Sequence, residues 1–244
     1  MLERLPTRAE REPVVGAGLG GDDTTAIDQA AEEAILARVR EAAGAVVSEE
    51  VGRVGGAGLP LLVVDPIDGS LNAKRGIPFF SLSIAVAEGE TMDDVVFGFV
   101  HDFGSREEWT ARRGEGAWLD GESLGAVRPK DEVEILSFEA TLTLLVARDA
   151  QKVAELAYRL RIMGSLALSL CHLAAGRVDA VCSLRGARSV DVAAGQLIVL
   201  ESGGVVDLID EGPLASAPLD LEGRSRIVAA RSREHYELVA AALR

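Results

Sequence analysis

An uncharged apolar run, Leu61-Leu62-Val63-Val64, leads without a break into Asp65-Pro66-Ile67-Asp68-Gly69-Ser70. Few folds accept that join. The run predicts a buried strand. Two carboxylates three residues apart then leave the interior together and enter a Gly-Ser turn, which predicts the start of a short helix. Pro66 fixes φ between the acids, so the backbone sets their relative aim. Such oxygens suit a hard divalent cation, and the N–H groups of Gly69 and Ser70 suit an anion at a helix start. An ordinary Asp-rich turn spells the same letters, so the remainder of the chain has to decide between them.

The chain has 244 residues, which allows one large domain or two intimately packed ones. Aliphatic residues are plentiful, yet no apolar run approaches membrane-spanning length, so a soluble globular protein is expected. Met1 to Glu12 is charged and lacks an apolar core, so no secretion signal is expected. Cys171 and Cys182 are the two cysteines. Without CxxC spacing they argue against a disulfide scaffold or a zinc site and read as small core residues in a cytoplasmic protein. The net charge is −14, with 3 Lys against 22 Arg. That acidity repels nucleic acid and anionic membrane, so neither is an expected partner.

Gly16 to Thr25 reads as a glycine- and Asp-rich loop before a helix over Ala26–Arg40, where Ile27, Ala30, Ala31, Ala34, Ile35 and Val39 share a face. Thr24 or Thr25 is placed to cap it. Ala45-Val46-Val47 predicts a strand ending at Ser48-Glu49-Glu50. Further strands are predicted over Phe79–Ala87 and Val95–Val100. Glu108–Ala111 and Ala117–Leu119 predict a hairpin packed by Trp109 and Trp118. Past a connecting region at Arg128–Glu134, the pattern predicts a strand over Glu134–Phe138, a helix over about Asp149–Arg159 and a strand near Arg161–Met163. Gly164-Ser165 opens a helix to Ala175, Val178–Ser183 is a strand, and a helix over Asp191–Glu201 closes at Gly203-Gly204. Val205-Val206, Ile227–Ala230 and a helix from Ser232 end the chain. Strands and helices alternate without a clean βαβ period, which predicts layered sheets and helices rather than a single Rossmann unit.

Three more acids stand at element ends: Glu49 past a strand, Asp28 near the start of the first long helix, and Asp191 opening Val192-Ala193-Ala194-Gly195. Singly, an Asp at a helix start is a cap or a dipole partner. Together, four or five acids with few basic neighbours suit two or three Mg²⁺ ions.

With these residues in place, the chain resembles the Mg²⁺-dependent sugar phosphatase superfamily of inositol monophosphatase and fructose-1,6-bisphosphatase. The resemblance is greatest to the archaeal branch that carries both activities. The matching segments run in family order: Gly21-Asp22-Asp23-Thr24 through Asp28, Ser48-Glu49-Glu50, Asp65 through Asn72, Gly76 through Phe80, Arg113 to Gly121, Gly164-Ser165, and Val190 through Ala194. The resemblance implies an α+β or α/β fold, a layered α-β-α-β-α sandwich, with residues 1–130 carrying Glu49 and the Asp65–Ser70 motif and 131–244 carrying Gly164-Ser165 and Asp191. It implies hydrolysis of sugar and cyclitol phosphomonoesters by metal-activated water. Glu49, Asp65 and the carbonyl of Ile67 would hold one ion, and Asp65, Asp68 and Asp191 a second. A weaker third ion would lie near Glu49 and a mobile Gly16–Thr25 loop. Asp28, where the family also has Asp, and Ser70, where it usually has Thr, would orient the attacking water, with Asp68, Gly69 and Ser70 at the phosphate. Gly164 and Ser165 would offer backbone to the sugar. A cytoplasmic homodimer is implied by the resemblance alone.

The sequence also departs from the family. Seven residues before Asp191, where animal inositol monophosphatases place a Glu that binds inositol hydroxyls, stands Leu184, followed by Arg185 and Arg188. Two guanidinium groups suit a second phosphate, which favours fructose 1,6-bisphosphate with inositol 1-phosphate as second substrate; pairing of both arginines with surface acids is the alternative. Lys74 and Arg75 are weaker candidates for the same task. About fifteen residues precede Gly16, where the family has a long helix. His101, His172 and His235 match no family ligand. Two competing readings are a 3′-phosphoadenosine 5′-phosphate phosphatase, for which no adenine-binding insertion is evident, and a catalytically silent sugar-phosphate-binding relative, which the retention of all five acids disfavours.

Overall fold

The computed structural model describes residues 4–19, 23–39, 44–56, 58–125, 128–139, 142–210 and 212–244. Gly21 and Asp22, the start of one matching segment, lie outside the described residues. The first half comprises α1 (Arg8–Arg11), β1 (Val14–Ala17), β2 (Asp23–Thr25), α2 (Ala26–Val39), β3 (Ala45–Ser48), β4 (Gly52–Gly55), β5 (Leu61–Asp68), α3 (Ser70–Arg75), β6 (Ser81–Ala87), β7 (Val95–Asp102), β8 (Glu108–Arg112), β9 (Gly116–Leu119) and β10 (Glu122–Ser123). The second comprises β11 (Val133–Glu139), α4 (Thr143–Ala150), β12 (Ala157–Arg161), α5 (Leu166–Ala174), β13 (Ala180–Ser183), α6 (Ser189–Glu201), β14 (Val205–Leu208), β15 (Ile227–Ala230) and α7 (Arg233–Leu243).

Two sheets result. An eight-stranded sheet has the order β10-β9-β8-β7-β6-β5-β3-β4, and a five-stranded sheet the order β12-β11-β13-β15-β14. In the first, β3 and β5 are the parallel pair and the other neighbours are antiparallel. In the second, β11 runs parallel to both β12 and β13. Helices α5 and α6 lie between the sheets, α2 covers the far face of the first and α7 that of the second. The expected α-β-α-β-α sandwich is the observed fold.

The middle layer explains the small residues of Val192-Ala193-Ala194-Gly195. A Cβ on Gly98 of β7 would stand 2.8 Å from the Ala194 carbonyl oxygen, and one on Gly195 would stand 2.7 Å from Leu170 Cδ1 of α5. The backbone of α6 therefore lies directly against a strand on one side and a helix on the other. That close approach buries Leu168, Leu170, Ile198 and Trp109 in one continuous core.

Most predicted elements hold, with shifted ends. The exception is the expected helix over Asp149–Arg159. The helix is instead Thr143–Ala150 with a further 3₁₀ turn over Gln151–Val153, and Ala157–Arg161 is a strand. Buried Asp149, paired with Arg148 and Lys152, marks the helix end. Residues beyond it gain a parallel ladder against β11, a long-range pairing that overrides local helical preference. The strand expected at Arg161–Met163 accordingly starts and ends earlier. Within the expected Gly16–Thr25 loop, Gly16 and Ala17 belong to β1 and Asp23–Thr25 to β2, an antiparallel pair with Val14 opposite Thr25. The N-terminal helix is the four-residue α1.

Candidate active site

The apolar run and its acids form one continuous strand, since β5 extends through Asp68 with every residue buried. The Asp65 carboxylate accepts the Ile67 N–H at 2.9 Å, and the register of the strand with β6 shifts between Asp65 and Asp68. Gly69 then takes φ +94 as the N-cap of α3. A Cβ there would stand 3.0 Å from the Gly164 carbonyl oxygen and 3.1 Å from that of Phe79. Glycine is thus required both by backbone angle and by close approach.

Around this turn a cavity of about 270 Å³ is lined by Asp23, Asp28, Glu49, Glu50, Asp65, Ile67, Asp68, Gly69, Ser70, Leu71, Lys74, Gly164, Arg188 and Asp191. Every acid predicted for the site is among them. Glu49 arrives from the turn after β3, Asp28 from the first turn of α2, and Asp191 from the first turn of α6. Asp191 is the third residue of its helix rather than the first, because its carboxylate accepts the Arg188 N–H at 2.8 Å and so closes the helix start from within.

The acids repel one another. Glu49 is pushed up to about 8, first by burial and then by Asp191 and Glu50, against the opposing pull of Arg188. Asp68 is pushed up to about 7 by burial and by Asp191. It is held back from rising further by the Ser165 hydroxyl, which donates to its Oδ2 at 2.5 Å, and by the N–H groups of Ala167 at 2.7 Å and Leu166 at 3.3 Å. Asp65 is raised well above the usual carboxylate range by burial and by Glu49, Asp68 and Asp191. One guanidinium answers them: Arg188 Nη1 meets Glu49 Oε1 at 2.7 Å, and its Nη2 meets Asp191 Oδ1 at 3.2 Å. Burial works against the Arg188 charge, but Asp191, Glu49 and Asp65 outweigh it and raise its pKa further.

The site therefore gathers more buried carboxyl groups than its own cations can neutralise. Among the described residues no three His, Cys, Asp or Glu side chains already surround a common point as metal ligands. The Arg188 guanidinium stands between Glu49 and Asp191 instead. The donor set itself, all carboxylate and carbonyl oxygen, fits a hard divalent cation. A buried Asp28 Oδ1 without a hydrogen-bond partner adds an unused acceptor at the same cavity.

A second cavity of about 280 Å³ adjoins the first, sharing Asp68, Gly164, Arg188 and Asp191 with it. Arg185 and Arg224 line it too, so three guanidinium-bearing residues gather beside the acidic cavity.

The sequence model of the inositol monophosphatase family matches residues 7–244 of this chain, nearly its full length. The chain belongs to the inositol monophosphatase family. It is 38% identical over 193 residues to a fructose-1,6-bisphosphatase/inositol-1-monophosphatase of Thermococcus kodakarensis, covering 79% of this chain and 72% of that protein. It is 34% identical to a protein of the same description from Methanothermobacter thermautotrophicus, covering 93% of this chain and 85% of the other. A solved structure described as an inositol monophosphatase–fructose 1,6-bisphosphatase superposes with a TM-score of 0.88 at 27% identity, covering 99% of this chain and 93% of that one.

For this member of the family, the structure places the expected site residues as follows. Ser165 lines neither cavity; it is buried, caps α5 through the Leu168 N–H, and spends its hydroxyl on Asp68. Its hydroxyl supports a carboxylate of the site. Ser70 Oγ donates to the Ile67 carbonyl at 3.1 Å, while Asp28 Oδ2 accepts from the Thr25 N–H at 3.0 Å and its hydroxyl at 2.5 Å. Asp28 and Ser70 thus share the cavity wall without bonding each other. Arg188 pairs with acids of the site itself, not of the surface. Arg185 makes no ion pair among the described residues and lines only the second cavity. Lys74 lies 3.6 Å from Asp28, whereas Arg75 pairs with Glu12 away from the cavities. Leu184 is buried in the core under the second sheet. The three histidines line neither cavity.

Glu50, Glu139 and Arg224 were not singled out from sequence. Glu50 adjoins Glu49 and was legible in principle. Glu139, at the end of β11, and Arg224, in a loop before β15, carry no local motif.

Proposed function

We propose that this chain hydrolyses phosphomonoesters of sugars and cyclitols with Mg²⁺, taking the 1-phosphate of fructose 1,6-bisphosphate and, as a second substrate, inositol 1-phosphate. The observation that carries the reading is the acidic cavity, whose four buried carboxylates meet the Gly69-Ser70 turn at one end of β5. Glu49, Asp65 and the Ile67 carbonyl would hold one ion and Asp65, Asp68 and Asp191 another, with a weaker third near Glu49. Bound there, Mg²⁺ supplies Lewis acidity, lowering the pKa of water and neutralising phosphate charge.

The protein groups do the rest. The Gly69 and Ser70 N–H groups open α3 and donate to the phosphoryl oxygens. Asp28 Oδ1, otherwise without a partner, accepts a proton of the attacking water, and the Ser70 hydroxyl turns from the Ile67 carbonyl to help aim it. No side-chain nucleophile is required, since in-line attack by water needs positioning and charge stabilisation. Arg185, with Arg188 and Arg224 beside it, supports the bisphosphate preference, because the second cavity adjoins the first where a second phosphate would lie.

Phosphate release from fructose 1,6-bisphosphate, inositol 1-phosphate and 3′-phosphoadenosine 5′-phosphate, each with and without Mg²⁺, tests this. Mg²⁺-dependent release that is fastest from the bisphosphate is the expected result. Faster release from the monophosphate overturns the preference, and release from none leaves a binding role in place of catalysis. A cytoplasmic homodimer accompanies this reading and is checked by light scattering on the eluting protein. Among the described residues no helix is long and apolar enough to cross a membrane.

A further inference from the structure

Asp68 is aimed by a turn that belongs to the other side of the molecule. Ser165 Oγ and the N–H groups of Leu166 and Ala167, all at the start of α5, converge on its carboxylate. That turn begins at Gly164, with φ +88, where glycine's backbone freedom leaves the position of the turn to outside support. Two groups supply it. From the first half, Asn72 Nδ2 donates to the Met163 carbonyl at 2.8 Å and to that of Phe79 at 2.8 Å. From the second half, Glu139 reaches across: its Oε2 accepts the Gly164 N–H at 2.9 Å, and its Oε1 accepts the hydroxyls of Ser169 at 2.6 Å and Ser137 at 3.1 Å. Glu139 is itself buried, and its own carbonyl is fixed by the Leu184 N–H at 2.8 Å.

We propose that Glu139 is a positioning residue for the site: it straps the Gly164-Ser165 turn to β11 and so sets the aim of Asp68 into the acidic cavity. The bland role for a buried glutamate is to satisfy neighbouring serines. Three features go beyond that. Its second oxygen is spent on a backbone N–H of the turn, not on a serine. The next residue of that turn holds a carboxylate of the site. The Glu139 side chain also borders the second cavity together with Asp68 and Gly164, so the strap, the turn and the carboxylate are contiguous. The consequence for metal affinity rests on the function proposed above; the consequence for the turn does not.

Glutamine and alanine separate the possibilities. In Glu139→Gln the carbonyl still accepts from Gly164, while the amide donates to Ser169 and Ser137, whose hydroxyls rotate to accept. In Glu139→Ala the Gly164 N–H loses its partner and the two hydroxyls are left with each other, 3.3 Å apart. Hydrogen exchange measured in EDTA is the first readout. Glu139→Ala is expected to lose at least tenfold of the protection at Gly164 to Leu168, with β6 and β7 unchanged, and Glu139→Gln to keep it. Mn²⁺ titration of the substrate-free protein by calorimetry is the second: Kd rises at least tenfold in the alanine variant and less than threefold in the glutamine variant. Should Glu139→Ala fail to fold, Ser169→Ala, which removes one donor from the strap, is expected to move exchange at the same amides by a smaller factor. Unchanged protection at Gly164 to Leu168 in the alanine variant, or in Ser169→Ala when it stands in, overturns the proposal, as does an equal loss in Glu139→Gln. If wild type binds no Mn²⁺, the metal reading fails while the exchange data still decide the strap.

Discussion

Replacing Glu49 by Gln should make the metal-free protein more stable at neutral pH, although it removes an expected ligand. Glu49 ionises near 8 in the folded chain against an ordinary 4.5, with burial the largest cause and Asp191 and Glu50 adding to it. The folded value is raised, so its contribution to stability is present in full below pH 4.5 and is lost as the pH climbs through 8. At about 1.4 kcal/mol per pH step, the cost of holding this carboxylate is ~3 kcal/mol by pH 7. The net shift already includes the opposing pull of Arg188, so no separate correction for that ion pair is needed. Gln imitates the protonated acid and should escape most of the cost. For a chain of this size the gain corresponds to roughly 10 °C in Tm. Urea unfolding in EDTA at pH 5, 6, 7 and 8 reads it directly: the two proteins should be near parity at pH 5 and diverge steadily above it. Mg²⁺ at a hundred times its Kd should then return about 2.7 kcal/mol to wild type and little to the variant. Parallel profiles across pH, or a variant less stable than wild type at pH 7 in EDTA, would refute the reasoning.

Three other outcomes are expected. Asp65→Asn should abolish most Mg²⁺-dependent phosphate release while circular dichroism and Tm in EDTA stay at or above wild-type values; full activity would remove Asp65 from the site. Gly69→Ala should cost ~2 kcal/mol or more in urea unfolding, because Ala at φ +94 is strained and its Cβ meets the Gly164 and Phe79 carbonyls. Arg185→Ala should raise KM for fructose 1,6-bisphosphate about tenfold with little change for inositol 1-phosphate, and equal effects on both substrates would place Arg185 outside substrate recognition.

How far the sequence reached can be judged element by element. The strand over Leu61–Val64, the helix opened by Gly164-Ser165 and the hairpin around Arg113–Gly116 were readable because apolar periodicity, caps and turn glycines are local properties. The helix placed over Asp149–Arg159 failed because the edge strand Ala157–Arg161 exists through its ladder with β11, a partner some twenty residues away.

The sequence by itself determined which acids the site would own, since Asp65, Asp68, Glu49, Asp28 and Asp191 each sit at an element end that local pattern reveals. It determined the turn chemistry at Gly69 as well. Tertiary structure decided what those groups meet. Only the packed molecule sets Arg188 between Glu49 and Asp191, turns Ser165 inward onto Asp68, buries Leu184 away from both cavities, and draws Glu139 and Arg224 toward the site. The physical reason is range. Capping, periodicity and backbone angle act over a few residues, whereas the field on a buried carboxylate is set by whichever charges and N–H groups the whole fold brings to its side.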